Sequence, residues 1–81
     1  MKVIELTQNQ YTIVDTIDYN YLVQWKWSIR KRNGKYYAVR LGAGPRKYLM
    51  MHRVIAERAG FKGNIRHYDG DTLNNSRSNF M

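Results

Sequence analysis

The dipeptide Asn33-Gly34, set between two runs rich in β-branched and aromatic residues, constrains this chain more than any other feature. A two-residue type I′ turn needs positive φ at both positions, which Asn tolerates and Gly takes freely, and its twist matches that of the strands it joins. The pair therefore predicts an antiparallel ribbon over residues 25–41 and sets its register. Arg32 faces Lys35, Arg30 faces Tyr37 and Ser28 faces Val39 on one side; Lys31 faces Tyr36, Ile29 faces Ala38 and Trp27 faces Arg40 on the other. The first face is basic and the second apolar and aromatic. Because a small domain needs its aromatics inside, Trp25, Trp27, Tyr36 and Tyr48 are expected in the core.

Around the ribbon, residues 2–6 and 11–14 are short β-rich runs that suggest an opening hairpin. Asp15 is placed to cap a helix over residues 16–24, with Asp18 accepting from its first turn and Tyr19, Leu22 and Val23 inward. After the loop Gly42-Ala43-Gly44-Pro45, a third strand is expected at about 46–49. A helix over 50–59 follows, with Met51, Val54, Ile55 and Ala59 at helical spacing, Arg53 and Glu57 as an i,i+4 pair, and Gly60 closing the end. No repeat or linker divides the chain. The expected class is α+β: a three-stranded antiparallel sheet with an N-terminal hairpin, packed on one helix, in one domain over 1–81 (scaffold 1–60, a separate motif 61–81).

At 81 residues the chain buries roughly 60% of its unfolded surface, so the core is modest. It has no Cys, hence neither a disulfide nor a thiolate zinc site. Fourteen Lys and Arg against six Asp and Glu leave a net charge of +8, which favours a polyanionic partner. Lys26, Arg30, Arg32, Lys35 and Tyr37 are the expected phosphate-tracking residues, on a ribbon sized for a DNA major groove. No apolar run approaches the ~18 residues that span a bilayer, and the N-terminus is too short and too acidic for a secretory signal. A cytoplasmic location is expected, with DNA as partner, no membrane and no small-molecule cofactor.

The chemically informative segment runs from Asn64 to Phe80: Asn64-Ile65-Arg66-His67-Tyr68-Asp69-Gly70-Asp71-Thr72-Leu73-Asn74-Asn75-Ser76-Arg77-Ser78-Asn79-Phe80. It reads as a strand ending at His67, a turn through Asp69-Gly70-Asp71 whose carboxylates cap backbone amides, and a helix starting near Asn75. Phe80 is placed to dock this end on the core.

This segment resembles the site of HNH endonucleases of phages and mobile introns, homing-type enzymes with a ββα-metal motif. The resemblance extends to Ile4-Glu5-Leu6-Thr7, the Trp-containing hairpin and Met51-His52-Arg53. The middle sheet and helix also look like plant ethylene-response-factor-type DNA-binding domains. The HNH resemblance implies His67 as general base, Asn75 as its brace and Asn79 as a metal ligand, the cation being Mg²⁺ or Mn²⁺. The metal-binding Asp of the pattern is replaced by Arg66. A guanidinium repels a divalent ion but attracts phosphate, which turns a metal site into a phosphate clamp, with Arg77 as a further nucleic-acid contact. Asp69 is the candidate replacement ligand. The resemblance thus implies a DNA-binding HNH-like protein with weak or absent cleavage. The alternative is an inactive nuclease-derived phage inhibitor, anti-CRISPR-like, that binds a host nucleic-acid protein complex.

Overall fold

In the computed structural model, which describes residues 1–42 and 48–80, the chain is α+β, with two three-stranded sheets and two helices. The first sheet holds β1 (Lys2–Glu5) and β2 (Tyr11–Val14), antiparallel, with β6 (Asn74–Asn75) parallel to β2. The second holds β3 (Ser28–Arg32), β4 (Lys35–Leu41) and β5 (Tyr48–Met50), antiparallel throughout. Helix α1 (Thr16–Leu22) links the sheets, and α2 (Met51–Ala59) follows β5 directly.

The ribbon register is the one the Asn33-Gly34 turn dictates, from Arg32 opposite Lys35 to Ser28 opposite Val39, with φ of 53° and 80° at the two turn residues. The β1–β2 connection is a second turn of this kind. Gln8 and Asn9 both sit at φ 58°, and the Gln10 N–H returns to Thr7 O. Nothing in Gln8 favours that conformation, since a side chain in the left-handed region costs roughly 1–2 kcal/mol.

The core joins both sheets and both helices: Ile4, Leu6, Val14, Leu22, Trp27, Ala38, Met51, Ile55 and Phe80. Phe80 docks there as expected, its ring edge-on to Phe61 at 6.3 Å. Tyr36 and Tyr48, expected inside, are exposed instead. Each lies under a cation, Lys31 over Tyr36 at 5.8 Å and Arg30 over Tyr48 at 4.3 Å. Helix α2 ends as its sequence predicts: Gly60, at φ 83°, lets the Phe61 N–H return to Ala56 O at 2.9 Å. Arg53 does not pair with Glu57 among the described residues; its guanidinium donates to Gly63 O.

Other expectations are corrected. Helix α1 stops at Leu22, leaving Val23 exposed. Asp15 sits at the N-cap position without a side-chain cap bond, because its Oδ2 accepts from the Arg77 N–H at 2.9 Å. Asp18, assigned from the sequence to the first turn of α1, is fully buried. It accepts a bidentate pair from Arg77, Nη2 to Oδ1 at 2.8 Å and Nε to Oδ2 at 2.9 Å, and a third bond from Arg58 at 3.3 Å. This ion cluster ties α1, α2 and the C-terminal segment together. Of the expected third strand at 46–49, residues 46–47 lie outside the described residues, as do residues 43–45 of the preceding loop; the strand is seen at Tyr48–Met50. No helix among the described residues is long and apolar enough to cross a membrane.

Candidate functional site

The expected turn through Asp69-Gly70-Asp71 forms, its carboxylates accepting from the Asp71 and Leu73 N–H groups, but the strand expected to end at His67 and the helix expected from about Asn75 do not. His67 makes an isolated antiparallel bridge to Phe80, the turn follows through Gly70 at φ 77°, and the chain then pairs in parallel with β2 at Asn74–Asn75. A single 3-10 turn (Arg77–Asn79) replaces the helix. The expected ββα arrangement is therefore not formed, and residues 67–80 make a closed loop whose ends meet at His67 and Phe80.

What it retains is the pairing of His67 with Asn75, Nε2 to Oδ1 at 2.9 Å. A relay of donors fixes the roles. The Thr12 hydroxyl donates to Leu73 O at 2.7 Å, so its oxygen is free to accept from Asn75 Nδ2 at 2.9 Å. The same Nδ2 lies 3.6 Å from Met51 Sδ, an acceptor only. The amide nitrogen thus faces inward, Oδ1 faces the imidazole, and Nε2 is the protonated nitrogen of neutral His67. Its Nδ1 is left as the basic one.

His67 lies in an aromatic cluster with ring centroids 5.1 Å from His52, 5.6 Å from Phe80 and 6.5 Å from Tyr37, while Tyr37 and His52 are 5.7 Å apart. His52 is half-buried, and burial, aided by the charges of His67 and Arg53, lowers its pKa from 6.5 to about 4. It is neutral at physiological pH. His52 is not among the site residues expected from the sequence; the available signal was a polar side chain between Met51 and Val54 on a core-facing helix.

The remaining expected ligands are engaged elsewhere. Asp69 Oδ1 accepts from the Asp71 N–H and Asn79 Nδ2, and Oδ2 accepts from Asn74 Nδ2 at 2.9 Å. These bonds, that from Asn74 first, hold its carboxyl below the usual range. Asn79 is buried, donates to Asp69 and Asn74 O, and accepts from the Asp69 N–H at 3.0 Å. It is a clamp on the turn and is not presented as a metal ligand. With Arg66 at the position of the pattern's Asp, and no group of three His, Cys, Asp or Glu side chains close enough to hold an ion among the described residues, the donor set does not fit a divalent cation.

The expected cationic residues separate into four places. Arg66 is exposed beside His67, and Lys35 reaches the same loop, its Nζ 3.4 Å from Gly70 O. Arg30 and Arg32 line an open cleft of about 1160 Å³ between the β3–β5 sheet and α2, with Val39, Tyr48, His52 and Arg53. Of the expected phosphate-tracking residues, Arg30 and Arg32 thus share this cleft, while Lys35 and Tyr37 do not line it. Lys26 lies apart, beside Glu5 and Thr7 at the other sheet. Arg77 is held against Asp18, which raises its pKa above the ordinary arginine value. No family model matches the chain, and no curated protein or solved structure matches it either.

Proposed function

We propose that the chain is a DNA-binding protein of HNH type in which the cleavage chemistry is weak or lost. The observation that carries this reading is the braced imidazole: His67 Nε2 on Asn75 Oδ1 at 2.9 Å, with the exposed Arg66 next to it in the chain. A guanidinium offers a fork of donors matched to two phosphate oxygens, and here it needs no metal to hold a backbone phosphate. Lys35, whose Nζ reaches the same loop, adds a second cation, and the net charge of +8 supplies attraction at longer range. Without an anionic ligand set, the site does not hold the divalent cation that would stabilise the charge on phosphorus and the leaving oxygen.

The test is a mobility shift on plasmid DNA without metal, run beside incubation of supercoiled plasmid with Mg²⁺ or Mn²⁺. Binding without nicking is expected. Nicking abolished by His67→Ala would overturn the loss of cleavage, and absence of binding at low salt would overturn the DNA reading.

A second reading has its own observation. Val3 and Ile13, cross-strand partners on β1 and β2, are exposed together with Tyr11 on the same hairpin. An outward apolar row of this kind suits a protein partner. It favours an inactive nuclease-derived inhibitor, anti-CRISPR-like, that docks on a host nucleic-acid complex.

A further inference from the structure

We infer that the cleft between the β3–β5 sheet and α2 is a channel for single-stranded DNA, which it leads past His52 to the Arg66–His67 edge. This rests on the DNA-binding reading above and specifies the form of DNA and its path. A duplex is read by a convex element, a helix or ribbon, that enters its major groove. Here Arg30 and Arg32 of the ribbon border a concavity, with Tyr48 of β5 and with His52 and Arg53 of α2. A basic channel with aromatic rings in its wall suits one strand, its phosphates on the cations and its bases against the π-faces.

Three features support that occupant. Arg30 lies over the exposed Tyr48 ring at 4.3 Å, which presents a stacked guanidinium and an aromatic face at one point. Among the described residues the lining holds one carboxylate, Glu57, against Arg30, Lys31, Arg32 and Arg53. His52 both lines the cleft and lies against His67, ring centroids 5.1 Å apart, which links the cleft wall to the braced imidazole.

The experiment is fluorescence anisotropy across a salt series, with a labelled oligothymidine of about 12 nucleotides, within the usual range for such channels, and with a duplex of equal length. The variants are Arg30→Gln with Arg32→Gln, a control that removes two charges outside the cleft lining (Lys2→Gln with Lys62→Gln), and Glu57→Gln. All the replaced side chains are exposed, and a thermal melt verifies that each variant is folded. The single strand is expected to bind at least about ten-fold more tightly than the duplex. Loss of the two arginines should lower the slope of log affinity against log salt by about 1.4, two phosphate contacts at about 0.7 each. The lysine control should leave that slope unchanged, and Glu57→Gln should tighten binding. A duplex bound as tightly as the strand, or an arginine variant no weaker than the lysine control, overturns the channel and leaves DNA binding standing. Absence of binding to either probe at low salt overturns both.

Discussion

The imidazole of His67 and the carboxamide of Asn75, eight residues on, meet at 2.9 Å because Asn75 belongs to a strand, not to a helix. Its other amide end is anchored on Thr12 Oγ1, which is fully buried. The brace is thus built from the first sheet, and its rigidity is that of β2. Asn75→Ala is expected to leave the His67 ring N–H without its acceptor and Thr12 Oγ1, which keeps its bond to Leu73 O, without its donor. A buried polar group left unpaired costs about 1–3 kcal/mol. Urea unfolding should show a loss of this size, and the His67 ring nitrogens should lose their tautomer preference in ¹⁵N spectra.

Removal of Arg77 should cost more than removal of Arg58. Arg77 makes two bonds to the fully buried Asp18 and Arg58 one. Stripping one partner from a buried pair costs about 3–5 kcal/mol; both arginines keep partial contact with water, so about 2–3 kcal/mol is expected for Arg77→Ala and about 1 kcal/mol for Arg58→Ala. Equal losses in denaturant melts would contradict this ranking.

Stability should fall with acid in a window set by His52. Its pKa is lowered to about 4 in the fold from an ordinary 6.5. Between these values the unfolded chain binds the proton and the folded chain does not, so the contribution is fully present above 6.5 and lost as pH falls towards 4. At about 1.4 kcal/mol per decade of proton affinity, the loss is at most about 3 kcal/mol. Unfolding midpoints measured from pH 7 to 4 should fall steeply in the native chain and less in His52→Gln.

Introducing the missing carboxylate should not restore cleavage. Arg66→Asp supplies one anionic ligand, but Asn79 still clamps Asp69, with both of its amide atoms bonded. Nicking of supercoiled plasmid by Arg66→Asp should stay at background with Mg²⁺ or Mn²⁺, while its affinity for DNA drops and its salt slope falls by about 1.

The turn at Gln8 offers a gain. Gln8→Gly should raise stability by about 0.5–1 kcal/mol, the relief of a side chain at φ 58° less the added freedom of glycine in the unfolded chain. A lower urea midpoint would show that the Gln8 side chain makes a compensating contact.

The ribbon and α2 were legible because their determinants are local: two turn residues for register, a 3.6-residue period and a glycine for the helix. The segment after Asp71 was not. Asn74 and Asn75 suit a helix start when read alone, but β2 offers them backbone partners at Ile13 and Val14, about sixty positions earlier. Asp15 and Asp18 were misassigned for the same reason, since their partner Arg77 is remote in sequence. At the site, the His67–Asn75 pairing was implied by the HNH resemblance alone, whereas the approach of His52 depends on how α2 is laid against the loop.

The parallel pairing of β6 with β2 has a consequence for how the molecule comes into being. Contacts such as Thr12 with Asn75 and Asp15 with Arg77 span 63 and 62 residues, so the first sheet cannot be completed until nearly the whole chain is available. Closing so long a loop comes before its reward, and topologies of this kind fold slowly for their size. The β3–β4 ribbon, local and self-registering, is the natural nucleus. The braced histidine then forms among the last events, and a chain that binds through it is competent only once folding is complete.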